Sequence, residues 1–99
     1  MWTKVAAISE VPEGGAFVSE AAGKAIALFK VEGQVYALEN RCPHRGGPLG
    51  EGFLEGKLVT CPWHAWQFDV TNGICDNIPD MKQTAYPVKI EGDEVLIDI

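Results

Sequence analysis

Apolar residues in this chain fall in short runs or alternate with polar ones. None of these runs keeps a helical period over ten residues or more. Residues 2–7, 24–31, 34–39, 57–60, 66–70, 87–91 and 94–99 are stretches of four to eight rich in Val, Ile, Leu and aromatics. That length and composition predict strands. Turn signals separate them: Pro12-Glu13-Gly14-Gly15, Glu32-Gly33, Glu55-Gly56, Thr71-Asn72-Gly73 and Gly92-Asp93. Hairpins are predicted at Glu32-Gly33, Glu55-Gly56 and Gly92-Asp93, because glycine supplies the positive φ that tight turns need. Residues 20–28 admit a single helical turn. The pattern as a whole predicts an all-β fold, an antiparallel sandwich or small barrel.

Two stretches break the strand rhythm. Residues 41–50, Arg-Cys-Pro-His-Arg-Gly-Gly-Pro-Leu-Gly, read as a loop, and Cys61-Pro62-Trp63-His64-Ala65-Trp66 is the second. Each carries Cys-Pro followed closely by a histidine. The spacing is Cys42-x-His44, then 16 residues, then Cys61-x-x-His64. Two such pairs converge on one site only if the chain between them reverses, and the Gly46-Gly47-Pro48 turn and the hairpin at Glu55-Gly56 supply the reversal. Thiolate and imidazole together hold zinc, copper or an iron–sulfur centre. The one-residue gap between Cys42 and His44 is shorter than structural zinc sites use.

Composition narrows the class. The chain has 99 residues, 46% hydrophobic and 22% charged, which fits one globular domain and excludes disorder. No apolar run approaches the roughly 20 residues of a membrane span. The N-terminus lacks the apolar core of a secretory signal. A cytoplasmic protein without membrane partners is expected. The net charge of −6 disfavours nucleic acid. Residues 41–66 nevertheless carry three bases and two acids, while residues 67–99 carry two bases and seven acids. Three cysteines, an odd number, argue against a secreted disulfide framework.

Cys42-x-His44 with Cys61-x-x-His64 resembles the signature of Rieske [2Fe–2S] proteins, in which two histidines replace two cysteines on one iron. The resemblance implies that residues 1–99 form one Rieske domain, with a cluster-binding subdomain at about 41–80 carried on two loops. It implies Cys42 and Cys61 on one iron and His44 and His64 on the other, with Ile78-Pro79 in a loop over the cluster. Neutral imidazoles in place of thiolates raise the potential, because an added electron meets less negative charge. The histidine-bound iron is then the one reduced. The imidazole nitrogen not on iron stays a proton donor, so the potential is expected to fall as pH rises past its ionisation.

Departures from the family's high-potential branch bear on the potential. That branch carries a disulfide between the two loops, where this chain has Gly47 and Trp63. It also carries a serine and a tyrosine that hydrogen-bond cluster sulfur, where this chain has Trp66 and Phe68. Without those hydroxyls the potential is expected near the low end of the Rieske range, about −150 mV. Gly46 and Gly47 are read as giving the backbone freedom to approach sulfide. Trp63 and Trp66 bracket His64, one expected to pack inward and the other to face a partner. Pro48 and Leu49 are expected at the apolar rim of the site, and Cys75 as a structural thiol.

The implied function is that of a ferredoxin, not an enzyme. It passes single electrons from an NAD(P)H-dependent flavoprotein reductase to a terminal oxygenase of the aromatic-ring dioxygenase type. The alternative is a small Rieske-like subunit of an assimilatory NAD(P)H nitrite reductase, bound to the large subunit.

Overall fold

Ala25 to Phe29 is the longest apolar run in the chain, and it forms the middle of a strand with a hydrophobic layer on each face. The computed structural model describes residues 1–41, 47–63, 66–77 and 80–99. In it Ile26 and Leu28 belong to one core and Ala27 and Phe29 to another, and all four are fully buried. Strand side chains alternate between faces, so an unbroken apolar run is what a strand covered on both sides requires. Each large side chain here contributes about 1.5–3 kcal/mol of burial.

The described residues form ten strands: β1 (Trp2–Ala7), β2 (Ala16–Ala21), β3 (Lys24–Val31), β4 (Gln34–Glu39), β5 (Phe53–Glu55), β6 (Leu58–Thr60), β7 (Gln67–Asp69), β8 (Ala85–Tyr86), β9 (Val88–Glu91) and β10 (Glu94–Asp98). They make three antiparallel sheets, with orders β1-β10-β9, β2-β3-β4-β8 and β5-β6-β7. The four-stranded sheet lies between the other two. Val5, Val11, Val95 and Ile97 cover its Ile26–Leu28 face. Leu49, Val59, Phe68 and Val70 cover its Ala27–Phe29 face. Ser19 Oγ ties the first two sheets together, donating at 2.6 Å to the Val5 carbonyl, where the β1–β10 register shifts between Lys4 and Ala6. The all-β antiparallel expectation is met.

The turns explain the pairing. Glu32 and Gly33 both have positive φ, 51° and 79°, the two-residue geometry whose twist suits a hairpin. The Glu13 carboxylate holds this turn, accepting the Glu32 and Gly33 N–H groups at 2.8 Å each. Gly56 and Gly92 open the other two predicted hairpins, each at φ 61°.

Three strands escape the sequence pattern. β2 is one, and with it the helical turn expected within 20–28 is wrong. Those residues run from the end of β2 through Ala22-Gly23 into β3, at φ 52° and 77° for the two turn residues. Alanine seldom adopts positive φ, so Ala22-Gly23 does not announce a turn as Asn-Gly does. β5 and β8 have only three and two residues, too few to show alternation.

Candidate metal centre

Three loop roots meet at one end of the small β5-β6-β7 sheet. The first leaves β4. Asn40 donates its N–H to the Ala25 carbonyl at 2.9 Å and accepts the Leu49 N–H on its own carbonyl at 2.8 Å. Its side-chain oxygen accepts the Gly50 N–H at 2.7 Å. Arg41 then pairs with Pro48 in an antiparallel bridge, which closes the loop. Cys42, His44 and Arg45 lie on it, outside the described residues.

The second root is the end of the β6–β7 hairpin. Its ladder runs through Thr60↔Gln67 and ends in the Cys61 N–H donating to the Trp66 carbonyl at 2.7 Å. Cys61 is fully buried in the second core, and its thiol is free. Pro62 and Trp63 stand in the open beyond it, Trp63 59% exposed. Trp66 is half-buried and packs on the second core. One tryptophan faces out and the other in, as expected. His64 lies outside the described residues.

The third root follows β7. Cys75 bridges Phe68, and its N–H donates to the Met81 carbonyl at 2.9 Å. The Asn77 side chain accepts the Gln67 N–H at 2.8 Å, joining this loop to the second. Cys75 is fully buried in the core, the burial expected of it. Ile78 and Pro79, expected over the cluster, lie outside the described residues.

Contact between the first and second loops comes through Gly47. A β carbon there would lie 3.0 Å from Cys61 Sγ and 3.1 Å from the Trp63 ring. Gly47 has no positive φ, so close approach, not backbone freedom, is what requires glycine. Leu49 corrects another expectation. It is fully buried in the second core, while Pro48 is half-buried at the surface. The rim residue is an anchor, because the 3₁₀ turn Leu49–Glu51 directs its side chain under the loop. Gln83 and Asn77 also hold these roots together, and no motif or periodicity in the sequence marks either.

A buried, unpaired thiol at a strand end, overhung by a glycine with no room for a side chain, fits an iron–sulfur ligand packed by its own loops. The Rieske [2Fe-2S] domain family matches residues 1–90. The chain belongs to the Rieske [2Fe–2S] family. It is 42% identical over 100 residues to the ferredoxin component of the naphthalene 1,2-dioxygenase system of Pseudomonas aeruginosa, covering 99% of this chain and 95% of the relative. The Sphingomonas yanoikuyae B1 ferredoxin superposes with a TM-score of 0.90 at 28% identity, covering 98% and 97% of the two chains. A chain from the complex of reduced oxygenase and oxidised ferredoxin in carbazole 1,9a-dioxygenase gives a TM-score of 0.88 at 30% identity, covering 97% and 91%. This Rieske protein is an electron carrier of ferredoxin type, not an enzyme, and its cofactor is a Rieske-type [2Fe–2S] cluster. No helix among the described residues is long and apolar enough to cross a membrane.

Proposed function

We propose that Cys42 and Cys61 hold one iron of the cluster and His44 and His64 the other. The close approach of Gly47 to Cys61 Sγ carries this reading, because it brings the Cys-x-His loop and the Cys-x-x-His loop together at a sulfur. The cluster, when bound, takes up and releases a single electron. The chain's own residues do the rest. Cys61 is placed at a ladder end, and its burial in the second core keeps water from its sulfur. Residues 1–99 act as one domain, with residues 41–80 as its cluster-bearing part.

The electron donor in this reading is an NAD(P)H-dependent flavoprotein reductase, and the acceptor is the terminal oxygenase of an aromatic-ring dioxygenase, all in the cytoplasm. The relatives described above serve dioxygenase systems, which favours an oxygenase over a nitrite reductase large subunit. Anaerobic spectra of the oxidised and dithionite-reduced protein, with iron and sulfide analysis, test the site. Two irons, two labile sulfides and a Rieske EPR signal are expected. Stoichiometric zinc without colour refutes the site. Reconstitution with a purified reductase and a naphthalene-type oxygenase tests the role, and NADH-driven substrate oxidation must require this protein.

A further inference from the structure

Gln83 is the one buried polar side chain among the described residues, 2% exposed. Both polar atoms of its amide are hydrogen-bonded. Nε2 donates to the Glu39 carbonyl at 2.6 Å and to the Arg41 carbonyl, and Oε1 accepts the Thr84 N–H at 2.9 Å. The sheet explains why a side chain does this work. β8 pairs with β4 through Leu38↔Ala85, and the ladder continues with the Glu39 N–H donating to the Thr84 carbonyl at 2.9 Å. One residue earlier the main chain leaves β4. The Gln83 N–H turns to the Gly73 carbonyl at 2.7 Å, and the Gln83 carbonyl sits against the Gly73 α carbon, where no side chain fits. The Thr84 N–H, which faces the Glu39 carbonyl in this register, is held by Gln83 Oε1 instead, and the part-buried Glu39 and Arg41 carbonyls need donors from elsewhere. The Gln83 amide supplies both missing donors.

Arg41 is the residue before Cys42, and its pairing with Pro48 closes the first loop. Gly73 belongs to the turn after β7, which leads back to Cys75 and the third loop. Gln83 therefore holds the root of the first loop with its side chain and the segment that carries the other two with its main chain. Resting on the ligand set proposed above, we infer that Gln83 is a positioning residue for the cluster, which holds the backbone entering Cys42 and so sets the metal site's geometry and retention. It acts through the Arg41 carbonyl and does not itself coordinate iron.

The test uses the purified holoprotein, with Gln83→Met, which keeps length but has no donors, and Val95→Ala as a control. Val95 is fully buried in the other core, so its truncation lowers stability away from the loops. Gln83→Met is expected to release iron to a chelator on the order of tenfold faster, with displaced EPR g values and midpoint potential. Val95→Ala is expected to lower the melting temperature with the wild-type potential and EPR signal. If Gln83→Met does not fold, Gln83→Asn replaces it, since one methylene fewer withdraws the donors and predicts the same displacements. Wild-type potential and EPR, with iron release no faster than that of Val95→Ala at equal distance below melting, overturn the inference. The ligand set fails separately, by a Cys61→Ser protein that keeps the wild-type EPR signal.

Discussion

Gly47 lies close to Cys61 across the two loops: a β carbon at position 47 would stand 3.0 Å from the Cys61 sulfur. A side chain at position 47 would press on the proposed ligand. The Trp63 ring lies 3.1 Å from the same point. The absence of a side chain at Gly47 lets the two loop roots approach there, beside the exposed indole.

Gly47→Ala follows directly. The backbone at 47 suits alanine, so the effect is steric: the methyl group must displace the indole, the sulfur or both. Overpacking of this kind costs about 1–3 kcal/mol. The expected outcome is a lower melting temperature together with faster iron release and an altered EPR spectrum. Thermal melts and chelator kinetics on the holoprotein check it, and a wild-type spectrum counts against contact at Cys61 Sγ.

The two described cysteines separate in the same assay. Both are fully buried in the second core, yet only Cys61 sits at a loop root in the Cys-x-x-His motif. Cys75→Ser is expected to keep the cluster and lose about 1–3 kcal/mol, since a hydroxyl replaces a thiol in apolar surroundings. Cys61→Ser is expected to lose the cluster or change its spectrum. Iron content per chain and visible absorbance distinguish the two.

Asp69 gives a pH dependence. Burial is the largest influence on its carboxyl and pushes the pKa up. The Thr71 hydroxyl and N–H, with the Lys57 ammonium, outweigh it and hold the pKa below the ordinary value. The Thr71 N–H donates at 2.9 Å, and Lys57 Nζ lies 3.3 Å from the other oxygen. A carboxyl with a lowered folded-state pKa adds stability that is full above its unfolded pKa, about 3.9, and is lost as pH falls through the folded value. Asp69→Asn is therefore expected to cost about 1–3 kcal/mol at neutral pH. Denaturant titrations should show the gap to wild type closing below about pH 4.

Legibility followed physics. The run Ala25 to Phe29 announced a strand, though not its burial on both faces, and Glu32-Gly33 announced its hairpin, because run length and positive φ are local properties. The Cys-His spacing was legible for the same reason, as a short motif with its own chemistry. β2 was hidden because Ala22 takes a conformation that its side chain disfavours. Gln83 was hidden because Lys82-Gln83-Thr84 looks like a surface loop. Its burial comes from Glu39 and Arg41, more than forty residues away. Leu49 was misplaced at the rim because only the 3₁₀ turn beneath it shows which way it packs.

Phe68 tests the reading of the potential. It is fully buried in the same core as Cys61 and pairs with Val59 and Cys75. By its resemblance to the high-potential branch, this chain has a phenyl where that branch has a tyrosine hydroxyl on cluster sulfur. A hydroxyl donor favours the reduced, more negative state, and one such hydrogen bond is worth about 1–1.5 kcal/mol. For a one-electron couple, with tenfold per 59 mV, that corresponds to about 40–65 mV. Phe68→Tyr is therefore expected to raise the midpoint potential by about that amount, measured by redox titration followed by EPR. An unchanged potential with a loss of stability means that the hydroxyl is buried without a partner, and that Phe68 does not set the potential.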